Sequence, residues 1–124
     1  VWLGTSVEDE RRADERVPIL LQIPARIRFL SVEPLVGSVQ FWPSWVGGNP
    51  HVDWVIVGGE SGPGHRPMDS KWLEDVARLS ALYVPVFVKQ DSGPRPGQQG
   101  RIPDELWALK QFPASPEHSP VSRA

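Results

Sequence analysis

Four short apolar runs divide this chain, and each stops at a polar or charged residue. They are Val1-Trp2-Leu3-Gly4-Thr5-Ser6-Val7-Glu8, Ile27-Arg28-Phe29-Leu30-Ser31-Val32-Glu33, Trp54-Val55-Ile56-Val57-Gly58-Gly59-Glu60 and Val84-Pro85-Val86-Phe87-Val88-Lys89-Gln90. Nearly continuous hydrophobic runs of this length read as buried parallel strands. Between the first two lies a charged stretch, Glu8 to Arg16. Ala13, Val17, Leu20 and Leu21 fall on one helical face there. Pro18 interrupts that face and predicts a short helix starting near it, or two turns divided by it. Pro24 ends the helix.

The second strand covers about 27–32, and Pro34 stops it. Leu35 to Pro50 has no clear period and holds Trp42, Trp45, Gly47 and Gly48. It reads as a structured loop with a short strand at Val39–Phe41, its tryptophans covering an end of the core. The third strand covers about 53–58. Asp69 or Ser70 then caps a helix from Lys71 to Tyr83, with Trp72, Val76, Leu79 and Tyr83 on its inner face. Pro85 delays the start of the fourth strand, about 84–89. Residues 91–100 are rich in Gly, Pro and Gln and read as a mobile loop. A short helix is expected from Asp104 to Lys110.

This alternation predicts an α/β domain over residues 1–112. Its sheet is mostly parallel, built from about four βα units joined by right-handed crossovers. A complete (β/α)8 barrel takes about 250 residues. With 124 residues, this chain reads as half of such a TIM-like barrel, followed by a disordered tail at 113–124. Val1 already lies inside a strand pattern, so the chain reads as a piece of a longer protein or a trimmed one. Half a barrel has two open edges, and open edges invite another chain. A homo-oligomer or a missing amino-terminal half is therefore expected as partner. In barrels the functional groups stand at the carboxyl ends of the strands. That places Glu8, Glu33, Glu60 and Lys89 on one rim.

Composition narrows the function. The net charge is −2, which does not support nonspecific nucleic-acid binding, though it leaves room for a local basic patch. There is no cysteine, hence no disulfide, thiolate metal site or thiol nucleophile. No apolar run approaches the ~20 residues of a membrane span, and a cytoplasmic location is expected. The histidines, His51, His65 and His118, do not cluster with carboxylates at metal spacing.

The loop Gly58-Gly59-Glu60-Ser61-Gly62-Pro63-Gly64 carries the sharpest chemistry. Glycines after a strand let backbone N–H groups approach a ligand. Glu60 can accept hydrogen bonds from a ligand amine or hydroxyl, Ser61 can add a contact, and Arg66 can face an anion. The loop is neither a Walker motif nor a dinucleotide fingerprint. The competing reading is a tight turn in which Glu60 caps backbone groups. Strand alternation puts Ser6 with Glu8 on one face, and Ser31 with Glu33 on one face. A carboxylate cluster at the mouth can bind a polar cofactor or shift a pKa for acid–base work. Glu8 can instead simply open a solvated helix. Lys89 can bind a substrate anion, or pair with Glu33 or Glu60 as a structural ion pair.

The ordered string of motifs, with Ala13-Asp14-Glu15-Arg16-Val17-Pro18, Glu33-Pro34-Leu35, Arg66-Pro67-Met68, Phe87-Val88-Lys89-Gln90, Gly100-Arg101 and Trp107, resembles an uncharacterised family of phage and prophage proteins. The resemblance covers about residues 1–113. Members look like radical S-adenosylmethionine enzymes, with a three-cysteine motif for an iron–sulfur cluster in the amino-terminal half. The resemblance implies a partial or complete (β/α) barrel. It also implies S-adenosylmethionine and the cluster as cofactors of the full-length protein. This chain is similar only to the carboxyl-terminal half and departs from the family in lacking the cysteines, so it holds no cluster alone. It also has Asp91-Ser92 after Gln90, where the family more often has an aromatic residue and glycine. On this resemblance Ser31, Glu33, Gly58, Gly59, Glu60 and Ser61 contribute to a cofactor site, and Glu8, Arg66 and Lys89 to a site for a small polar substrate. The alternative is a truncated, non-catalytic relic that binds a small ligand or self-associates. Hydrolysis by the carboxylates lacks a nucleophile–base pair.

Overall fold

The structure, a computed structural model, describes residues 1–113. The expected tail lies, from residue 114 onward, outside the described residues. Four strands form one sheet: β1 (Trp2–Ser6), β2 (Ile27–Val32), β3 (Trp54–Gly58) and β4 (Val86–Gln90). They stand side by side in chain order and every pair is parallel. Two long helices interleave with them, α1 (Glu10–Gln22) after β1 and α3 (Ser70–Ala81) after β3. Single turns α2 (Ser44–Gly47) and α4 (Asp104–Trp107) follow β2 and β4. The expected α/β domain with a mostly parallel sheet holds, and all three strand pairs are parallel.

Alternate strand residues divide the two faces of the sheet. Leu30, Val32, Val55, Val57, Val86 and Val88 are fully buried and join Ala13, Val17 and Leu20 of α1 and Leu73, Val76 and Ala77 of α3 in one core. The opposite face is aromatic. Trp54 lies edge-on to Trp2, with ring centres 6.0 Å apart, and tilts against Phe29 and Phe112 at 5.8 and 5.5 Å. Phe112 also meets Phe87 at 5.4 Å. Such pairs add about 0.5–1.5 kcal/mol each beyond their buried area. Trp2 and Phe112 remain 49% and 63% exposed.

Several local expectations are corrected. Pro18 sits inside α1, which continues through it. Asp9 caps this helix through Arg12 N–H, and the turn holding Pro18 and Asp14 faces solvent, where water can serve the carbonyl that proline leaves without a donor. Val39–Phe41 is not a strand; the regular element in that loop is α2. Trp45 of α2 is buried against Phe41, while Trp42 is exposed. Asp69 caps α3 as expected. Its buried stripe, however, is Leu73, Val76, Ala77 and Ser80, the i, i+3, i+4, i+7 spacing. Of the expected face, Val76 is fully buried and Trp72 and Leu79 pack partly buried against the core, whereas Tyr83 lies beyond the helix and is exposed. Residues 91–100 form a loop held by many hydrogen bonds. The fourth helix ends at Trp107.

The edges differ from expectation too. The outer edge of β4 is covered by the chain's own Leu109–Gln111. Val88 N–H donates to Leu109 O at 2.8 Å, and Gln111 N–H donates to Val86 O at 2.9 Å. The Gln111 side-chain oxygen accepts from Val86 N–H, and Trp54 Nε1–H donates to Gln111 O. One edge, that of β1, stays unpaired among the described residues.

Leu30 is fully buried at the centre of β2. Leu30→Ala is expected to lower stability by about 3 kcal/mol, read from urea unfolding monitored by tryptophan fluorescence. Ser80 is buried and its hydroxyl has no partner among the described residues. Ser80→Ala is expected to leave the urea midpoint unchanged or raise it, since it removes a desolvated polar atom.

Candidate functional site

Parallel alignment brings the carboxyl ends of all four strands to one rim. An inner cleft runs along the open face of the sheet and reaches this rim at Glu33 and Lys89, and an outer cleft is formed mainly by the loops after β1, β2 and β3. The inner cleft, about 220 Å³, is lined by Glu33, Trp54, Ile56, Phe87, Lys89 and Phe112. The outer cleft, about 250 Å³, is lined by Glu8, Asp9, Arg12, Pro34, Val36 and Arg66.

The inner cleft has an apolar floor and a charged lip. Ser31 Oγ–H donates to Glu33 Oε1 at 2.9 Å. Lys89 Nζ lies 3.1 Å from Glu33 Oε2. The sequence pattern placed Ser31 and Glu33 on one face, and here they touch. Lys89 reaches them through an irregularity: Val57 pairs with Val88, but Gly58 pairs with Gln90. The extra residue in β4 is Lys89 itself. Bulges of this kind re-aim a side chain. Gly58 has a packing role in this, because a Cβ there would meet Lys89 Cβ at 3.2 Å.

The outer cleft carries charges of both signs. Arg16 Nη1 bridges Glu8 Oε2 at 3.2 Å and Ser6 O at 2.8 Å. Glu60 and Arg66 form a fork: Nε to Oε1 at 3.0 Å, Nη2 to Oε2 at 2.8 Å, with Arg66 N–H also donating to Oε1 at 2.8 Å. The side-chain bond from Arg66 is the largest cause, and the backbone bond the second, holding the Glu60 carboxyl down at about 2. The bond to Glu60 in turn raises Arg66, with the charge of Glu8 adding to it.

The expected site residues therefore separate into two groups. Ser31, Glu33 and Lys89 meet at the inner cleft. Glu8, Arg66 and, through Arg66, Glu60 belong to the outer one. Gly58, Gly59 and Ser61 serve the junction with the segment after β4. Gly59 N–H donates to Gln90 O, and Gly59 O accepts from the Gln90 amide. A Cβ on Gly59 would lie 2.4 Å from Ser92 N. Ser61 bridges to Gly93 through its backbone. His65 bonds within its own loop, to Gly62 O.

Sequence reasoning missed Arg12 and Phe112 as lining residues, and it missed the pair Asp91–Arg101 beneath the loop. Asp91 is buried, and Arg101 donates to it from its backbone N–H, Nε and Nη2 at 2.9, 3.0 and 2.9 Å. Burial pushes the Asp91 carboxyl up, but these bonds outweigh it and hold the group below its ordinary range. An acid at the end of an apolar run, with Gly100-Arg101 downstream, was the available signal.

A family described as a protein of unknown function, DUF5131, matches residues 1–105. The chain belongs to that family. No curated protein and no solved structure matches it. The DUF5131 match spans all four strands and the outer cleft, stops short of Phe112 in the inner one, and ends inside α4. Among the described residues no helix is long and apolar enough to cross a membrane, and no three His, Asp or Glu side chains gather as a metal cage.

In chemical terms, the inner cleft of this DUF5131 chain suits a flat apolar group carrying a polar end. The outer cleft suits a group bearing both a positive and a negative charge.

The Glu60–Arg66 fork gives a direct test. Glu60 is depressed on folding from its ordinary 4.5 to about 2. Its support for the folded loop is therefore present above pH ~4.5 and is lost as pH falls towards 2. Carbon-detected NMR should show the Glu60 carboxyl titrating near the lower value in the wild type. In Arg66→Ala it should return towards 4.5. An unshifted wild-type titration would refute the fork.

Proposed function

We propose that this chain is the carboxyl-terminal half of a radical-S-adenosylmethionine-like barrel. It supplies the rim that binds cofactor and substrate and is inactive alone. One observation carries the reading. Ser31, Glu33 and Lys89 converge on a cleft with an aromatic floor, next to a second cleft of mixed charge, at the carboxyl end of an all-parallel sheet. That is where barrels of βα units place their chemistry. The resemblance to the phage and prophage family supports it, as does the run Gly58-Gly59-Glu60 at the end of β3.

The residues fit one implied group and not the other. For an adenosine-bearing zwitterion, Phe87 and Phe112 would offer apolar surface, Glu33 and Lys89 polar contacts, and Glu8, Arg12 and Arg66 charges of both signs. An iron–sulfur cluster has no thiolate to hold it here, and the cysteines would come from an amino-terminal half. When bound with a cluster, S-adenosylmethionine supplies radical chemistry; the residues of this half bind and orient.

Calorimetric titration with S-adenosylmethionine tests the reading. Heat of binding is expected for the wild type. Glu33→Ala should weaken binding roughly tenfold or more, the scale of a lost hydrogen bond to a charged group. Absence of heat across the soluble range overturns it.

A second reading, a self-associating or ligand-binding module without turnover, is favoured by the open side of the sheet. Val7 N–H donates to Ser31 O and Val1 O accepts from Arg26 N–H. The odd residues of β1 thus face β2, and the backbone groups of Trp2 and Gly4 face outward. Beside them runs a groove lined by Leu3, Ile19, Leu20 and Ile23, while Trp2 extends the aromatic face. A partner half or a second copy docks here. Sedimentation velocity is expected to show association that grows with concentration and falls in Ile19→Glu. A clean monomer at high concentration contradicts self-association.

A further inference from the structure

The segment after β4 carries chemistry that the rim itself does not use. Gln90, Asp91 and Ser92 are consecutive, and each reaches a different strand of chain. The Gln90 amide donates to Gly59 O at 2.9 Å and its oxygen accepts from Gly97 N–H at 2.9 Å. Ser92 Oγ accepts from Met68 N–H at 2.9 Å. Asp91 accepts from Arg101 at three nitrogens and from Ser92 N–H. Arg101 Nη2 then donates onward to Met68 O. Gly93 completes the set, donating to Glu60 O and accepting from Gly62 N–H.

These bonds grip one target. The loop from Gly59 to Met68, which carries Glu60 and Arg66, is held at its start by Gln90 and Gly93 and at its end by Ser92 and Arg101. We propose that Asp91 and Arg101 are a positioning pair: the carboxylate fixes the guanidinium, the guanidinium fixes Met68 O, and the Glu60–Arg66 fork is thereby presented to the outer cleft. This deepens the reading of the rim as a ligand site and rests on it for its functional meaning.

The geometry argues for a dedicated device. Asp91 is 4% exposed, and a buried carboxylate is costly unless its oxygens are matched. Here one strap, residues 97–101, is shaped to match them. Gly97 and Gly100 adopt φ of +72° and +51°, a region open to glycine. A Cβ at Gly100 would lie 2.3 Å from Asp91 Oδ2. The arginine side is half in solvent, with 57% of its side chain exposed, so the strap can be cut there without opening the core. Arg66 and Glu60 lie well away from Arg101 in sequence, yet the loop that carries them is anchored at its far end through Met68, by Arg101 together with Ser92.

Hydrogen exchange and NMR on the intact chain test the pair. In Arg101→Gln, amides of residues 60–68 are expected to exchange roughly tenfold faster or more, while β3 amides keep their protection. The Glu60 carboxyl should titrate higher than in the wild type, since a loosened loop weakens the Arg66 bonds that hold it down. Arg101→Lys, which keeps the charge but not the fork, should fall between. Gly100→Ala, which leaves both charges, should reproduce Arg101→Gln. Arg78→Gln, which cuts an exposed pair with Glu105, serves as control. Unchanged exchange in 60–68 and an unchanged Glu60 titration in Arg101→Gln overturn the proposal. The ligand arm uses S-adenosylmethionine: Glu60→Ala should weaken binding in the wild type and add little in Arg101→Gln. If the wild type gives no heat, the rim reading falls while the exchange result still decides the positioning pair.

Discussion

The constraint on which everything else depends is the parallel register of four adjacent strands. Ser6 stands opposite Ser31, Ser31 opposite Ile56, and Ile56 opposite Phe87. With that register, each residue just past a strand arrives at the same end of the sheet. Glu8, Glu33, Glu60 and the bulged Lys89 come to one rim although they are spread over some eighty residues of chain, and Glu33 and Lys89 meet there. A slip of one residue in β2 would turn Glu33 into the core and Leu30 onto the open face. The register is fixed because the helix-facing positions are the branched residues Leu30, Val32, Val55, Val57, Val86 and Val88, all buried, and the helices seal them from water.

The two sides of the rim are held by different forces. The inner cleft rests on the sheet itself, through Ser31, Glu33 and the bulge at Lys89. The outer cleft rests on loops, and loops need polar anchoring because their backbone groups have no ladder to satisfy them. Gln90, Asp91 and Ser92 supply that anchoring at the end of β4, as Asp9 does for α1. The rim is thus rigid where strands end and latched where loops begin. Such a division suits a site in which one part of a ligand is gripped by a fixed floor and another by side chains on a tethered loop.

Much of this was legible in the sequence. Strands buried on the helix side announce themselves as apolar runs, and the acids and the lysine mark where each run stops. The pairing of Ser31 with Glu33 followed from a period of two. What stayed hidden depends on contacts between distant residues. On α3 the size of Tyr83 suggests a core residue, yet it falls past the helix end and is exposed, while Ala77 and Ser80, small or polar, carry no such signal and are buried. The strap at 97–101 looks mobile by composition; its order comes from a buried carboxylate ten residues upstream. The cover on β4 is three residues long, too short to show any alternation.

That cover changes how the half-barrel reading must be understood. A sheet with two free edges can close on a partner from both sides, and a ring follows. Here the β4 edge is occupied by Leu109–Gln111, and Phe112 folds over the aromatic face beside it. The edge left unpaired among the described residues is that of β1, where Trp2 and Gly4 offer backbone groups and Ile19 and Ile23 line a groove. A partner that brings a strand followed by a helix satisfies edge, groove and open face together.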